Sequence, residues 1–323
     1  MNGSVQEALV VLTNCLQLRE GEELVIVTEQ PLLEQAIMFV KAAERLHASP
    51  VVITLPESAT RMRDMPQTVV SAMEKSSAVL LVLSEELIQL FGHAESKRRV
   101  INSGSRFAAF VGDFKNLPND LDLKLMKRRA ETMAKIFDDG KEVRIFTDEG
   151  ADVKFSIEGR KGMFIIPIVN RPGSWGAIPH HCESFVAPIE GTAEGRLIVD
   201  TSIIGYGLVR EPVEIIIQEG LIVNIIGGEE AHWLRQKILN TYDPSLRNVA
   251  EVAVGLNHVY KSAKGGFLDK SIFGSGHIGI GDNSTIGGRT KSPIHIDLVF
   301  RNFSLEVDGQ RIVDEGKITV DDY

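Results

Sequence analysis

The chain has 323 residues, 43% of them hydrophobic and 24% charged, with a formal net charge of −9. That length and composition describe a globular protein large enough for two domains, and the acidic balance excludes nucleic acid as the main partner. No apolar run reaches the roughly 18–20 residues that span a bilayer, and two distant cysteines, Cys15 and Cys182, exclude a disulfide framework.

The two cysteines suit a reducing compartment, and the opening residues lack the basic start of a secretory signal, so a cytoplasmic location is expected. Apolar residues Val5, Ala8, Leu9, Leu12 and Leu16 recur at helical spacing and predict a helix over 4–18. A strand at 24–27, a helix at 31–47 with Pro31 in its first turn, and a strand at 51–55 follow. Next come a helix at 66–75, a strand at 78–83, a Glu-rich segment at 84–94 and a basic helix near 95–102. A strand at 107–111 and a helix at 121–137 close this half. Strands alternating with helices predict an α/β domain with a mostly parallel sheet over residues 1–140. No Gly-x-Gly-x-x-Gly or phosphate-cradling loop follows its first strand, so no dinucleotide site is expected there.

From Val143 the texture changes. Runs rich in β-branched residues at 143–147, 153–157, 196–201, 213–217 and 221–226 are divided by Gly-containing turns, with one helix near 229–239. Residues 141–323 are therefore expected to form a β-rich (α+β), largely antiparallel domain, with the boundary near Asp138-Asp139-Gly140.

The polar residues with chemical potential concentrate in this second half. His295 and Asp297 stand two apart in a strand-like run at 294–300, so their side chains point to one face. His277 lies in a second such run, and a Gly-rich turn at 281–288 would set the two strands side by side. An imidazole–carboxylate convergence of this kind suits a metal ion with N/O ligands. Glu183, Glu194 and Glu251 each sit among apolar neighbours, where a carboxylate needs a compensating cation, either a metal ion or an Arg or Lys. His180-His181-Cys182 has the residue types of a zinc site, but successive strand residues face opposite sides, so the three cannot ligate one ion. In the first half His93 stands alone after the third strand–helix unit, where loops of an α/β sheet line ligand crevices, and is a candidate substrate contact.

Five motifs occur in fixed order: Glu183-Ser-Phe-Val-Ala-Pro, Glu190-Gly-Thr-Ala-Glu-Gly, Glu251-Val-Ala-Val-Gly, Gly276-His277-Ile-Gly-Ile-Gly and His295-Ile-Asp297. Together they resemble the thermophilic-type metallo-aminopeptidases, the aminopeptidase T and aminopeptidase S group. The resemblance implies an N-terminal α/β domain and a β-rich domain carrying two Zn, Co or Mn ions. Glu183, Glu251, His277, His295 and Asp297 would be the ligands, with Glu251 bridging and Glu183 or Glu251 moving a proton. It further implies a homodimer or higher homo-oligomer that removes N-terminal residues from small peptides. One position departs from that pattern: Ser284 stands where those enzymes carry a catalytic tyrosine.

The run Gly287-Gly-Arg-Thr-Lys-Ser-Pro-Ile-His295-Ile-Asp297, the segment around His93 and the shorter length also resemble the mononuclear iron 2,5-dihydroxypyridine dioxygenases. In that pattern a histidine replaces Glu251 and none stands at His277. The ligand set makes a metallo-aminopeptidase-like hydrolase the expected activity. A ring-cleaving dioxygenase with one Fe(II), acting on a dihydroxypyridine-like small molecule, is the alternative, and a metal-binding homologue without catalysis is a third reading.

Overall fold

The computed structural model describes residues 4–92 and 94–320. His93 therefore lies outside the described residues. In chain order the helices are α1 (Val5–Val10, continued as a π-helix at Val11–Leu16), α2 (Leu33–Arg45), α3 (Gln67–Lys75), α4 (Glu85–Gly92), α5 (Glu95–Asn102), α6 (Asp120–Asp139) and α7 (Glu229–Ile238). The first four strands are β1 (Glu23–Glu29), β2 (Ser49–Leu55), β3 (Ala78–Val82) and β4 (Arg106–Val111). They are followed by β5 (Glu142–Phe146), β6 (Asp152–Ser156), β7 (Met163–Ile165), β8 (Trp175–Pro179), β9 (Glu183–Val186) and β10 (Glu194–Val199). Then come β11 (Ser202–Ile203), β12 (Gly207–Leu208), β13 (Val213–Gln218), β14 (Leu221–Ile226) and β15 (Val249–Gly255). The chain ends with β16 (Gly276–Gly281), β17 (His295–Phe300), β18 (Ser304–Val307), β19 (Gln310–Asp314) and β20 (Lys317–Ile318).

Two compact units result. One takes the chain up to Lys124 together with Ile165–His181, and the other takes Leu125–Phe164 and the chain from Cys182 onward. This differs from the single expected cut near residue 140. The segment after β7 returns to the first unit because β8 adds to the parallel sheet alongside β4, and α6, expected in the first domain, falls largely in the second unit.

The first unit is built on a five-stranded sheet of order β2-β1-β3-β4-β8, parallel throughout. Its inner strands are continuous apolar runs, Val79-Leu80-Leu81 in β3 being fully buried, as strands covered on both faces must be. Helix α2 buries Ala36, Phe39, Ala42 and Ala43, the stripe that a 3.6-residue period places on one side. Phe39, Phe110 and Phe114 form a cluster with ring centroids 4.9–5.6 Å apart. Ser4 and Glu7 close a reciprocal capping box at the start of α1. The Glu-rich segment, to which no element was assigned, is helix α4, which buries Leu87, Ile88 and Phe91 on one side and leaves its acidic residues outside.

The second unit carries an eight-stranded antiparallel sheet of order β14-β13-β10-β6-β5-β18-β19-β20 and a seven-stranded sheet of order β12-β11-β17-β16-β15-β9-β7. In β6 and β13 buried residues alternate with half-buried or exposed ones, the signature of a half-covered antiparallel sheet. The expected architecture, an α/β domain with a parallel sheet followed by a β-rich one, is the one found. Among the described residues no helix is long and apolar enough to cross a membrane.

Candidate metal centre

Four adjacent antiparallel strands, β9, β15, β16 and β17, place the expected ligands. Register explains the convergence. Glu251 is paired with Gly279, and Gly279 with Asp297, so the two carboxylates lie on one rung with a glycine between them. His277 and His295 each stand two residues before a member of that rung, on the same face. Glu183 is paired with Gly255 at the far end of β15.

A bulge sets Glu251 on this face. Val249 pairs with Ile280 and Glu251 with Gly279, so two steps along β15 match one step along β16. In a regular strand Val249 and Glu251 would share a face; the extra residue turns the valine to one side and the glutamate to the other. Gly279 leaves the space into which the side chains reach. A Cβ there would lie 2.8 Å from His295 Nε2 and 2.9 Å from Glu251 Cβ.

The result is two three-residue groups sharing Glu251, namely Glu183–Glu251–His277 and Glu251–His295–Asp297, each with ligand atoms within 4.8 Å of one another. His277 Nε2 lies 3.4 Å from Glu251 Oε1 and 4.0 Å from Glu183 Oε2. His295 Nε2 lies 3.3 Å from Glu251 Oε2 and 3.1 Å from Asp297 Oδ1. All but His295 are buried, and His295 is partly exposed, which leaves the centre one accessible edge.

Lys270, which sequence reasoning missed, completes the cluster. It sits on a 3₁₀ turn, Phe267–Ser271, and its ammonium lies 2.9 Å from Asp297 Oδ2 and 3.6 Å from Glu183 Oε1. The expectation that a carboxylate among apolar neighbours needs an Arg, a Lys or a metal ion is met by this lysine for Glu183, and the same ammonium pairs with Asp297. Its sequence signal is weak: Asp269-Lys270 in a short irregular segment looks like any polar turn.

The electrostatics follow from these contacts. Burial works against the Glu251 anion, but the imidazoles of His277 and His295 outweigh it and bring its carboxyl down to about 2. Burial likewise opposes charge on Lys270, yet Asp297 and Glu183 hold its ammonium well above the ordinary lysine range. His295 is raised against burial by Asp297 and Glu251, and Asp297 is lowered against burial by Lys270 and His295. Glu251 and Asp297 are therefore ionised at neutral pH.

The donors present suit a divalent cation of borderline hardness: imidazole nitrogens and carboxylate oxygens, with no thiolate. Nε2 of the fully buried His277 has no hydrogen-bond partner among the described residues and faces two carboxylates, an arrangement that a cation between them would satisfy. Two imidazoles and a carboxylate, the donor types of non-haem iron oxygenases, are all here, although Glu251 stands between the imidazoles and each group taken alone has one.

The remaining candidates lie elsewhere. Glu194, expected among apolar neighbours, is exposed; it opens β10 at the strand's polar end, where its carboxylate accepts from Glu219 N at 2.7 Å. His180 Nε2 lies 3.2 Å from the Asp113 carbonyl oxygen, and Cys182 points toward the Met126 carbonyl, 3.9 Å away, with its thiol pushed up by burial. Ser284 is exposed in the β16–β17 loop, donating to the Asp282 carboxylate at 3.0 Å.

Comparison with known proteins corrects the expected activity. The solved structure of 2,5-dihydroxypyridine dioxygenase from Pseudomonas putida matches with a TM-score of 0.81 and 19% identity, covering 98% of this chain and 96% of that one. Wild-type AmpT from Thermus thermophilus matches with a TM-score of 0.69 and 13% identity, covering 98% of each chain. At those identities both likenesses are of fold. A curated relative, 2,5-dihydroxypyridine 5,6-dioxygenase of Pseudomonas putida, is 24% identical over 238 residues, 70% of this chain and 68% of that protein. The expectation of a metallo-aminopeptidase hydrolase is thereby overturned, because ligand types common to both groups weighed more in it than the surrounding sequence. The aminopeptidase is a structural relative. With residues 5–320 matching its model, the chain belongs to the NicX family, described as 2,5-dihydroxypyridine 5,6-dioxygenase.

Proposed function

We propose that this protein is a non-haem Fe(II) dioxygenase that opens the ring of a dihydroxylated pyridine-type substrate. The observation that carries the reading is the family match over residues 5–320, which spans the strands bearing the cluster. Glu251, His295 and Asp297 would hold one ion, with His277 on the other side of Glu251 and Glu183 beyond it. Bound Fe(II) would supply the one-electron chemistry with O₂ that side chains lack.

The protein's own groups set the conditions. Glu251 and Asp297 stay anionic at neutral pH, so they present oxygen donors without first losing a proton. The apolar strands around them exclude water from all but the His295 edge. Both atoms of O₂ enter the product as one carbon–carbon bond of the ring breaks, and the electron-rich ring supplies the electrons, so no external reductant is required. His93 is kept in this reading as a substrate contact on sequence grounds alone.

The test is anaerobic loading with Fe(II), addition of 2,5-dihydroxypyridine, and admission of O₂. Oxygen uptake matched mole for mole by loss of the ring's absorbance is expected. An intact ring with iron fully bound would overturn the proposal for this substrate. A panel of other dihydroxylated N-heterocycles then decides whether the class is right.

A further inference from the structure

We infer that Lys270 is a positioning residue: by holding Asp297 Oδ2 it restricts Asp297 to a single donor oxygen, Oδ1, and so keeps one coordination position of the centre open. The inference rests on the one-iron reading above and adds to it what sets the number of positions left for water, O₂ and substrate.

The two oxygens of Asp297 face different partners. Oδ2 lies 2.9 Å from the Lys270 ammonium, and Oδ1 lies 3.1 Å from His295 Nε2. One oxygen is thus turned to the imidazole of its own three-residue group and the other to a cation. A carboxylate oxygen that binds a divalent ion stands about 2.0–2.2 Å from it. Chelation through both Asp297 oxygens would put that ion and the ammonium on the same Oδ2. Both side chains are buried, and like charges at such range repel strongly where water does not screen them. Binding through Oδ1 alone keeps both attractions. Glu251, His295 and Asp297 then offer one atom each, and three such donors leave half of an octahedron open. A chelating Asp297 would fill one of those positions.

The ammonium is held where it can do this. Its nitrogen lies 4.7 Å from the centre of the Phe267 ring and 3.6 Å from Glu183 Oε1. The turn that carries it is fastened to the segment after β15: Asn257 N donates to the Ser271 carbonyl at 2.8 Å, and Phe273 N donates to the Asn257 carbonyl at 2.9 Å. Ser275 Oγ donates to the Lys270 carbonyl at 3.2 Å. The buried Asp269 carboxylate accepts from Lys264 N at 2.8 Å and Gly265 N at 2.7 Å. Gly255 lets β15 pass close to this turn, since a Cβ there would come within 2.6 Å of the Lys270 carbonyl oxygen. Backbone and ammonium are therefore both seated, and the charged hydrogen bond to Oδ2 orients the ligand from behind.

The experiment counts the waters on the ion. Wild type, Lys270→Met and Lys270→Arg are loaded anaerobically with Mn(II) as a paramagnetic stand-in for Fe(II). Line broadening in electron paramagnetic resonance, with water enriched in a magnetic oxygen isotope, gives the number of bound waters. Lys270→Met should hold one water fewer than wild type, because the freed Oδ2 joins the ion. Lys270→Arg, which keeps a cationic donor at Oδ2, should match wild type. A Met variant that binds Mn(II) with the wild-type number of waters overturns the inference and leaves the one-iron reading standing. If Lys270→Met fails to fold, a crystal structure of the Mn(II)-loaded wild type decides. Asp297 bound through Oδ1, with Oδ2 on Lys270, supports the inference, and chelation overturns it. A wild type that takes up no ion at Glu251, His295 and Asp297 sinks both.

Discussion

His295 Nδ1 lies 2.7 Å from the carbonyl oxygen of Asp282. That contact places a ring proton on Nδ1, donating outward, so in the proposed iron site Nε2, which faces Glu251 and Asp297, would be the nitrogen that binds the ion. The Asp282 side chain fixes its own backbone in turn, accepting from Ser284 N at 3.1 Å and Ser292 N at 2.9 Å. Asp282→Ala frees the loop that aims His295 without removing a ligand. Metal affinity should fall roughly 10–100-fold, the usual cost of an outer-shell change. Anaerobic calorimetric titration measures it; unchanged affinity would mean the loop does not orient the ring.

Gly279 tests whether the space at the middle of the rung is needed. An alanine methyl would stand 2.8 Å from His295 Nε2 and 2.9 Å from Glu251 Cβ, closer than real Cβ atoms approach. Gly279→Ala should displace His295, cut metal affinity by roughly 100-fold or more, and cost about 1–3 kcal/mol of stability from overpacking. Metal content after desalting, read beside a urea melt, separates the two effects. Normal metal content in a folded variant would place the ion away from this rung.

How much of this was legible in the sequence depends on whether periodicity carried it. Two-residue spacing placed His295 and Asp297 on one face, and the glycine-rich turn brought the His277 strand beside them. Glu251 was visible as a carboxylate in an apolar run, but the bulge that turns it toward the cluster leaves no mark in the pattern. Lys270 was invisible because a 3₁₀ turn of five residues has no period to read. The return of residues 165–181 to the first sheet was hidden because β8, with Gly176 and Pro179, reads as loop. The activity was misread for a chemical reason: imidazole and carboxylate donors serve hydrolytic and oxidative metals alike.

Removing the ion should destabilise the second unit selectively, since every side chain of the cluster belongs to it. Metal present at 100 times its dissociation constant stabilises the bound state by about 2.7 kcal/mol, equivalent to roughly 5–10 °C in a unit of this size. Scanning calorimetry with and without chelator should show one transition move and the other stay. Equal shifts in both would mean that the units unfold together.

Glu190 supplies the acid dependence. Asn283 Nδ2 donates to Glu190 Oε1 at 2.9 Å and Arg289 N donates to it at 2.6 Å, while Arg160 pairs with the other oxygen. Burial works to raise the carboxyl, but these donors outweigh it and hold it below the ordinary 4.5. A folded value below the unfolded one contributes stability that is present above the unfolded value and lost as pH falls through the folded one. Acid should therefore loosen the loop around the fully buried Asn283, whose Oδ1 accepts from Thr290 N at 2.8 Å. Glu190→Gln keeps the shape but loses the charge and one acceptor, and should cost about 1–3 kcal/mol at neutral pH. As pH falls below the ordinary 4.5 toward the lowered folded value, the gap between the two proteins should shrink. Urea melts of both proteins from pH 7 down to pH 3.5 check this, and a gap that stays constant with pH would show that the Glu190 charge is not what holds the loop.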